Sequence, residues 1–181
     1  MYYSFINMPG TMISRTDIEK YFLAEKQAGL IFLILGTAAI IIALIAVFTI
    51  KTNVWKGAAI PLILLGVIQA AVGYAVYNKS DEQRVSNVYA VDMNPDKLIK
   101  QEIPRMQKVT KNFIIYKWAE VALIVAGIIL FVTYRSRPEK ALLYGLGLAL
   151  IIQGVILLTA DFIASKRADT YLQQLQTLQK P

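Results

Sequence analysis

The chain has 181 residues, 56% of them hydrophobic and 17% charged, and carries a net charge of +7. Soluble domains average about 45–50% apolar and about 25% charged residues, so the composition departs from a water-soluble globule on both counts. There is no histidine and no cysteine, which excludes thiol nucleophiles, disulfides, iron–sulfur clusters, His-ligated haem, zinc sites and imidazole acid–base chemistry.

The apolar excess gathers into four blocks. It predicts an all-α integral membrane protein: four transmembrane helices as two tandem helical hairpins, with cytoplasmic helical extensions. Residues 1–15 form an N-terminal segment whose start is open, because Met8 and Met12 are alternative initiators. The residues before the first block are mostly polar, and that block is too long for a signal-peptide core, so no cleavable leader is expected. Thr16 and Glu19 have capping-box spacing and predict a helix that runs straight into the first span.

The first hairpin covers 16–77, with spans at about 28–50 and 57–77. The second covers 113–164, with spans at about 113–134 and 141–164. Each span is close to the ~20 residues that cross a ~30 Å hydrocarbon core at 1.5 Å per residue. Small residues recur every seven positions: Gly29, Gly36 and Ala43, then Ala59, Gly66 and Gly73. Ala119 and Ala126 do the same in the third span, and Gly147 and Gly154 in the fourth. Such a seam lets helix backbones approach closely where lipid supplies no hydrophobic drive. Pro61 removes a backbone donor and predicts a bend in the second span.

Residues 78–112 form a central cytoplasmic helical loop. Asn94 reads as a cap with Pro95 at the first helical position, giving a short helix to about Glu102. Pro104 then restarts a helix that merges with the third span. Ile99, Ile103, Met106, Val109 and Phe113 line one face of it. The tail, 165–181, carries Tyr171, Leu172, Leu175 and Leu178 at helical spacing, so a cytoplasmic helical cap is expected.

Thirteen Lys and Arg residues fall in the N-terminal segment, central loop and tail, against five in the two hairpin loops. That bias places both termini in the cytoplasm. The halves also share features: Lys26 and Gly36 are spaced like Lys117 and Gly127, and Gln69 and Gln153 fall near mid-span, which reads as a tandem hairpin repeat.

The residues able to carry chemistry are the polar ones inside or entering the spans, each costing about 2.5–3.5 kcal/mol at a span centre. Lys117, Glu120 and Asp161, with Glu25 and Lys26 entering nearby, should share one depth and form a charge cluster that ties helix ends together. Gln69 and Gln153 should hydrogen-bond across helices, to each other or to Thr37 or Tyr74. Arg105, Lys108, Lys111, Lys166 and Arg167 should meet anionic headgroups or a partner.

Two functions fit. The first is a membrane protein without chemistry of its own that acts by protein–protein interaction: an accessory or regulatory subunit, or an immunity-type protein against a membrane-acting toxin. The second is a small proton- or ion-coupled transporter or channel using Glu120, Lys117 and Asp161; four helices enclose little lumen, so it would work as a homo-oligomer. The bilayer and an unknown protein are the expected partners. No metal, cofactor or nucleic acid is expected, since juxtamembrane positive charge already accounts for the basic residues.

Overall fold

A computed structural model describes residues 13–179, and all regular structure in it is helical. The initiator ambiguity at Met8 and Met12 lies outside the described residues. Four long helices dominate: α1 (Arg15–Thr49), α2 (Asn53–Met93), α4 (Ile103–Tyr134) and α5 (Ala141–Gln176). Each contains a stretch long and apolar enough to cross a membrane. With 35 and 41 residues, α1 and α2 reach ~52 and ~61 Å, well beyond a ~30 Å core.

The start of α1 corrects the expected cap. Ser14, not Thr16, is the N-cap: its hydroxyl accepts from the Asp17 N–H at 3.2 Å, and the Asp17 carboxylate accepts from the Ser14 N–H at 3.1 Å. Ser14 and Asp17 have the same three-residue spacing as Thr16 and Glu19. Asp17 takes the role usually held by Glu or Gln, which places the start ahead of Thr16.

The central segment is helical almost throughout. After Met93, Asn94 breaks the chain with φ −154° and ψ 69°, and Pro95 opens the return as expected, although the Asn94 side chain caps nothing. The short α3 (Pro95–Lys97) passes through a π-helical turn, Leu98–Glu102, directly into α4. Pro104 therefore does not restart a separate helix. It has no N–H to give the preceding turn, and the wider turn before it, closed by the Ile103 N–H on the Leu98 carbonyl, absorbs the defect without breaking the axis.

Glycine seams set the packing. α1 lies antiparallel on α2, Gly36 opposite Gly66 and Gly29 opposite Gly73: a Cβ on Gly36 would stand 2.6 Å from the Gly66 carbonyl oxygen. α4 lies on α5 through Gly127 and Gly147, where a Cβ on either would meet the other's carbonyl at 2.8 Å. In α4 the seam is one residue away from its expected position: Gly127 and Glu120 are buried, while Ala126 and Ala119 are exposed. One residue turns a helix face by about 100°, and the glycine allows the closer approach.

The two pairs join through α2 and α5. At the loop end, Gly57 and Gly145 leave no room for a side chain against the backbones of Leu142 and Val54. The helices thus run in the order α1, α2, α5, α4, with α1 and α4 at the two sides. At the other end the extensions of all four helices surround a conventional hydrophobic core of Ile18, Tyr21, Phe22, Ala90, Leu98, Ile103, Met106, Ala168, Tyr171 and Leu175. Tyr171 and Leu175 bear out the apolar face expected of the tail.

Candidate functional site: charged ties and buried polar groups

The five charges expected as one cluster separate into three groups. Glu25 of α1 accepts from Arg167 of α5 at 2.9 Å and 3.3 Å. Lys26, one residue on and turned toward α2, pairs with Asp81, which also holds Arg84 at 3.5 Å. The Tyr77 ring lies 5.0 Å from the Lys26 ammonium. The hydrogen bond from Lys26 lowers the Asp81 pKa, and the Asp81 carboxylate raises that of Lys26. Neighbouring residues on α1 thereby tie it to two different helices, a division that sequence spacing alone does not reveal.

The third group, Lys117, Glu120 and Asp161, sits between α4 and α5. Glu120 is buried with one carboxylate oxygen lacking any hydrogen-bond partner among the described residues, and it faces Asp161. Lys117 reaches over the Phe162 ring at 5.7 Å, and Lys166 covers the same ring at 4.4 Å. These residues do come together as expected, but Lys117 makes no ion pair among the described residues, so they form a carboxyl pair beside a cation rather than a tie between helix ends.

The two glutamines are correctly placed inside the bundle and wrongly partnered. Gln69 and Gln153 are 1% and 2% exposed. Both polar atoms of Gln69 and the Nε2 of Gln153 lack a partner among the described residues. Thr37 and Tyr74 are exposed, on helix faces turned away, so neither can serve.

Of the residues expected to meet headgroups, two are engaged within the chain. Arg105 makes a bidentate bond to Glu102, with Nε to Oε2 at 2.7 Å and Nη2 to Oε1 at 2.6 Å, and Arg167 holds Glu25. Burial acts to lower the Arg105 pKa, but the Glu102 hydrogen bond and charge, with smaller contributions from Tyr21 and Tyr171, together outweigh it and raise the pKa, so the guanidinium stays charged. Lys108, Lys111 and Lys166 remain exposed.

Sequence reasoning missed the polar seam within the extension core. Glu102 is buried beside Tyr171 and Met106, and Tyr21 donates a long hydrogen bond to the Met106 sulfur at 3.7 Å. Burial pushes the Tyr21 and Tyr171 hydroxyls well above the ordinary phenol range, reinforced by Glu25 and Glu102 respectively. The one available signal was a glutamate three residues before an arginine on a helix with an apolar face.

Along the outer side of the α2 extension, Val85, Tyr89 and Met93 stand 62%, 64% and 68% exposed at four-residue steps. They flank a shallow groove shared with Arg15 and Glu19 of α1, where Arg15 pairs with Asp92. No metal-holding group of acidic side chains occurs among the described residues.

These features define a helical bundle with four helices able to cross a membrane and a packed polar-flanked cap at one end. The chain belongs to the family of unknown function DUF6992, whose model matches residues 31–162, from the first apolar stretch to the last. No curated protein and no solved structure matches it.

Proposed function

We propose that the chain is a multi-pass membrane protein of two tandem hairpins, with both termini and the helical cap in the cytoplasm, and that it acts without catalysis by binding another protein. Membrane insertion is supported by the outer surface of the long helices. Ile31, Ile45, Leu64, Ile68, Ile115 and Ile129 are all more than half exposed, and a continuous apolar surface of this kind needs lipid.

The interaction reading is carried by the Val85–Tyr89–Met93 stripe. It lies beyond the predicted span, where lipid does not cover it, on a cap whose own core is complete without it. From Val85 to Met93 the helix rises about 12 Å along this apolar edge, and Arg84, Glu19 and the Arg15–Asp92 pair border it with both signs of charge. The fitting occupant is one amphipathic helix of a partner protein, laid along the groove by its apolar face. An accessory or regulatory subunit, or an immunity-type protein, would use such a surface.

Affinity purification from native membranes in mild detergent, followed by mass spectrometry, tests this. A stoichiometric partner retained by the parent and by Trp118→Ala, and lost from Tyr89→Asp, is expected. Equal recovery from Tyr89→Asp contradicts it.

A second reading, proton or cation handling, is favoured by one observation: Glu120 is buried, faces Asp161 and keeps an oxygen without a partner among the described residues. Proton or cation flux in vesicles that disappears in Glu120→Gln would support it over the first.

A further inference from the structure

A second groove, about 330 Å³ in volume, opens between the α2 extension and the returning chain. Lys79 and Asn87 line one wall, and Lys97 and Arg105 the other. Lys97 is held in place by donating from Nζ to the Ser86 hydroxyl at 2.6 Å. Asn87 is only 5% exposed overall, but its amide, which makes no hydrogen bond among the described residues, is not fully buried and stays accessible. Arg105 spends Nε and Nη2 on Glu102, which leaves the Nη1 hydrogens uncommitted and cancels the Glu102 charge. Lys79 makes no ion pair among the described residues, and the remaining carboxylate, Glu82, is exposed.

Two lysine ammoniums, an accessible amide and half a guanidinium thus share one groove with a single uncompensated carboxylate. We propose that this groove binds a phosphate group. Lys79 and Lys97 supply the opposing charge, while the Asn87 amide and Arg105 Nη1 donate hydrogen bonds to its oxygens. The phosphate can belong to a lipid headgroup or to a free phosphate ester. Lys79 lies two residues beyond the predicted end of the second span, so the groove opens at headgroup level. Only this lipid source rests on the membrane reading above.

The test uses the full chain in an uncharged detergent and follows thermal unfolding against three ligands: short-chain phosphatidylglycerol, glycerol phosphate and phosphate-free diacylglycerol. A saturable rise in Tm with a phosphate-bearing ligand is expected. Lys79→Ala or Lys97→Ala should weaken its apparent Kd by about tenfold, the loss of one charged hydrogen bond. Lys108→Ala, on the exposed surface outside the groove, should change it less than about twofold.

A response to phosphatidylglycerol alone assigns the phosphate to a lipid, and a response to glycerol phosphate assigns it to a soluble ester. The proposal is overturned if neither raises Tm, if diacylglycerol does as well, or if the Lys79→Ala/Lys97→Ala double variant responds like the parent. Recovery of the chain in the soluble fraction of lysed cells would instead defeat the membrane reading and leave the glycerol phosphate arm intact.

Discussion

Tyr21 of α1 and Tyr171 of α5 stack face to face, ring centroids 4.1 Å apart and planes 10° from parallel, with Phe22 set edge-on against both. This contact joins the first long helix to the last at the polar end, as Gly57 and Gly145 join α2 to α5 at the other. Tyr171→Ala should cost about 3–5 kcal/mol, the usual cost of emptying a buried aromatic site. Tyr171→Phe keeps the stack and removes a buried hydroxyl that has no hydrogen-bond partner among the described residues, so it should lie within about 1 kcal/mol of the parent or above it. Denaturant unfolding in detergent separates the two.

Glu102 and Arg105 form the most enclosed ion pair of the cap, with side chains 7% and 35% exposed. Glu102→Gln should destabilise by about 2–3 kcal/mol, because the guanidinium loses its counter-charge and one of its two acceptors while remaining half-buried. Adding Arg105→Gln should recover part of that loss, giving a coupling of about 1–2 kcal/mol in a double-mutant cycle. Additive losses would show that the two side chains act separately.

Lys26 and Asp81 give a pH dependence of known sign. The Asp81 pKa is lowered from 3.8, so its stabilisation is present above about pH 4 and lost as pH falls through the lower folded value. The Lys26 pKa is raised from 10.5, so its stabilisation is present below that pH and lost as pH rises through the higher folded value. The pair is therefore flat across the neutral range and lost at both extremes. Asp81→Asn should abolish the acid-side part, read as the difference in melting temperature between pH 3 and pH 7, and high salt should shrink it because both groups are solvent-accessible.

The displaced seam of α4 can be tested by neighbouring substitutions. Gly127→Leu forces a side chain against the Gly147 backbone and should cost at least about 1–3 kcal/mol. Ala126→Leu faces outward and should be tolerated. Equal effects would place the packed face elsewhere.

What could be read from the sequence followed physical scale. Twenty-residue apolar stretches and seven-residue glycine spacings are properties of one helix, and Gly29, Gly36, Gly66 and Gly73 were all placed correctly by them. Rotation of a helix about its axis is set by its neighbours. For that reason spacing points to Ala126 rather than Gly127, and offers Gln69 the partners Gln153, Thr37 or Tyr74, the last two of which are exposed. Charge partners were harder still, since Glu25 and Lys26 are adjacent in sequence yet bind Arg167 and Asp81 on different helices. Spacing alone does not single out the Ser14 cap, because Ser14–Asp17 and Thr16–Glu19 overlap and share the same spacing.

A photo-crosslinking residue at position 89 in native membranes asks whether the exposed edge of the α2 extension receives another protein's helix. A discrete adduct with one other protein species is expected, absent when the same probe replaces Trp118 on the exposed apolar surface of α4. An adduct formed only with residues 1–12 of the same chain, only with a second copy of it, or only with lipid would contradict it.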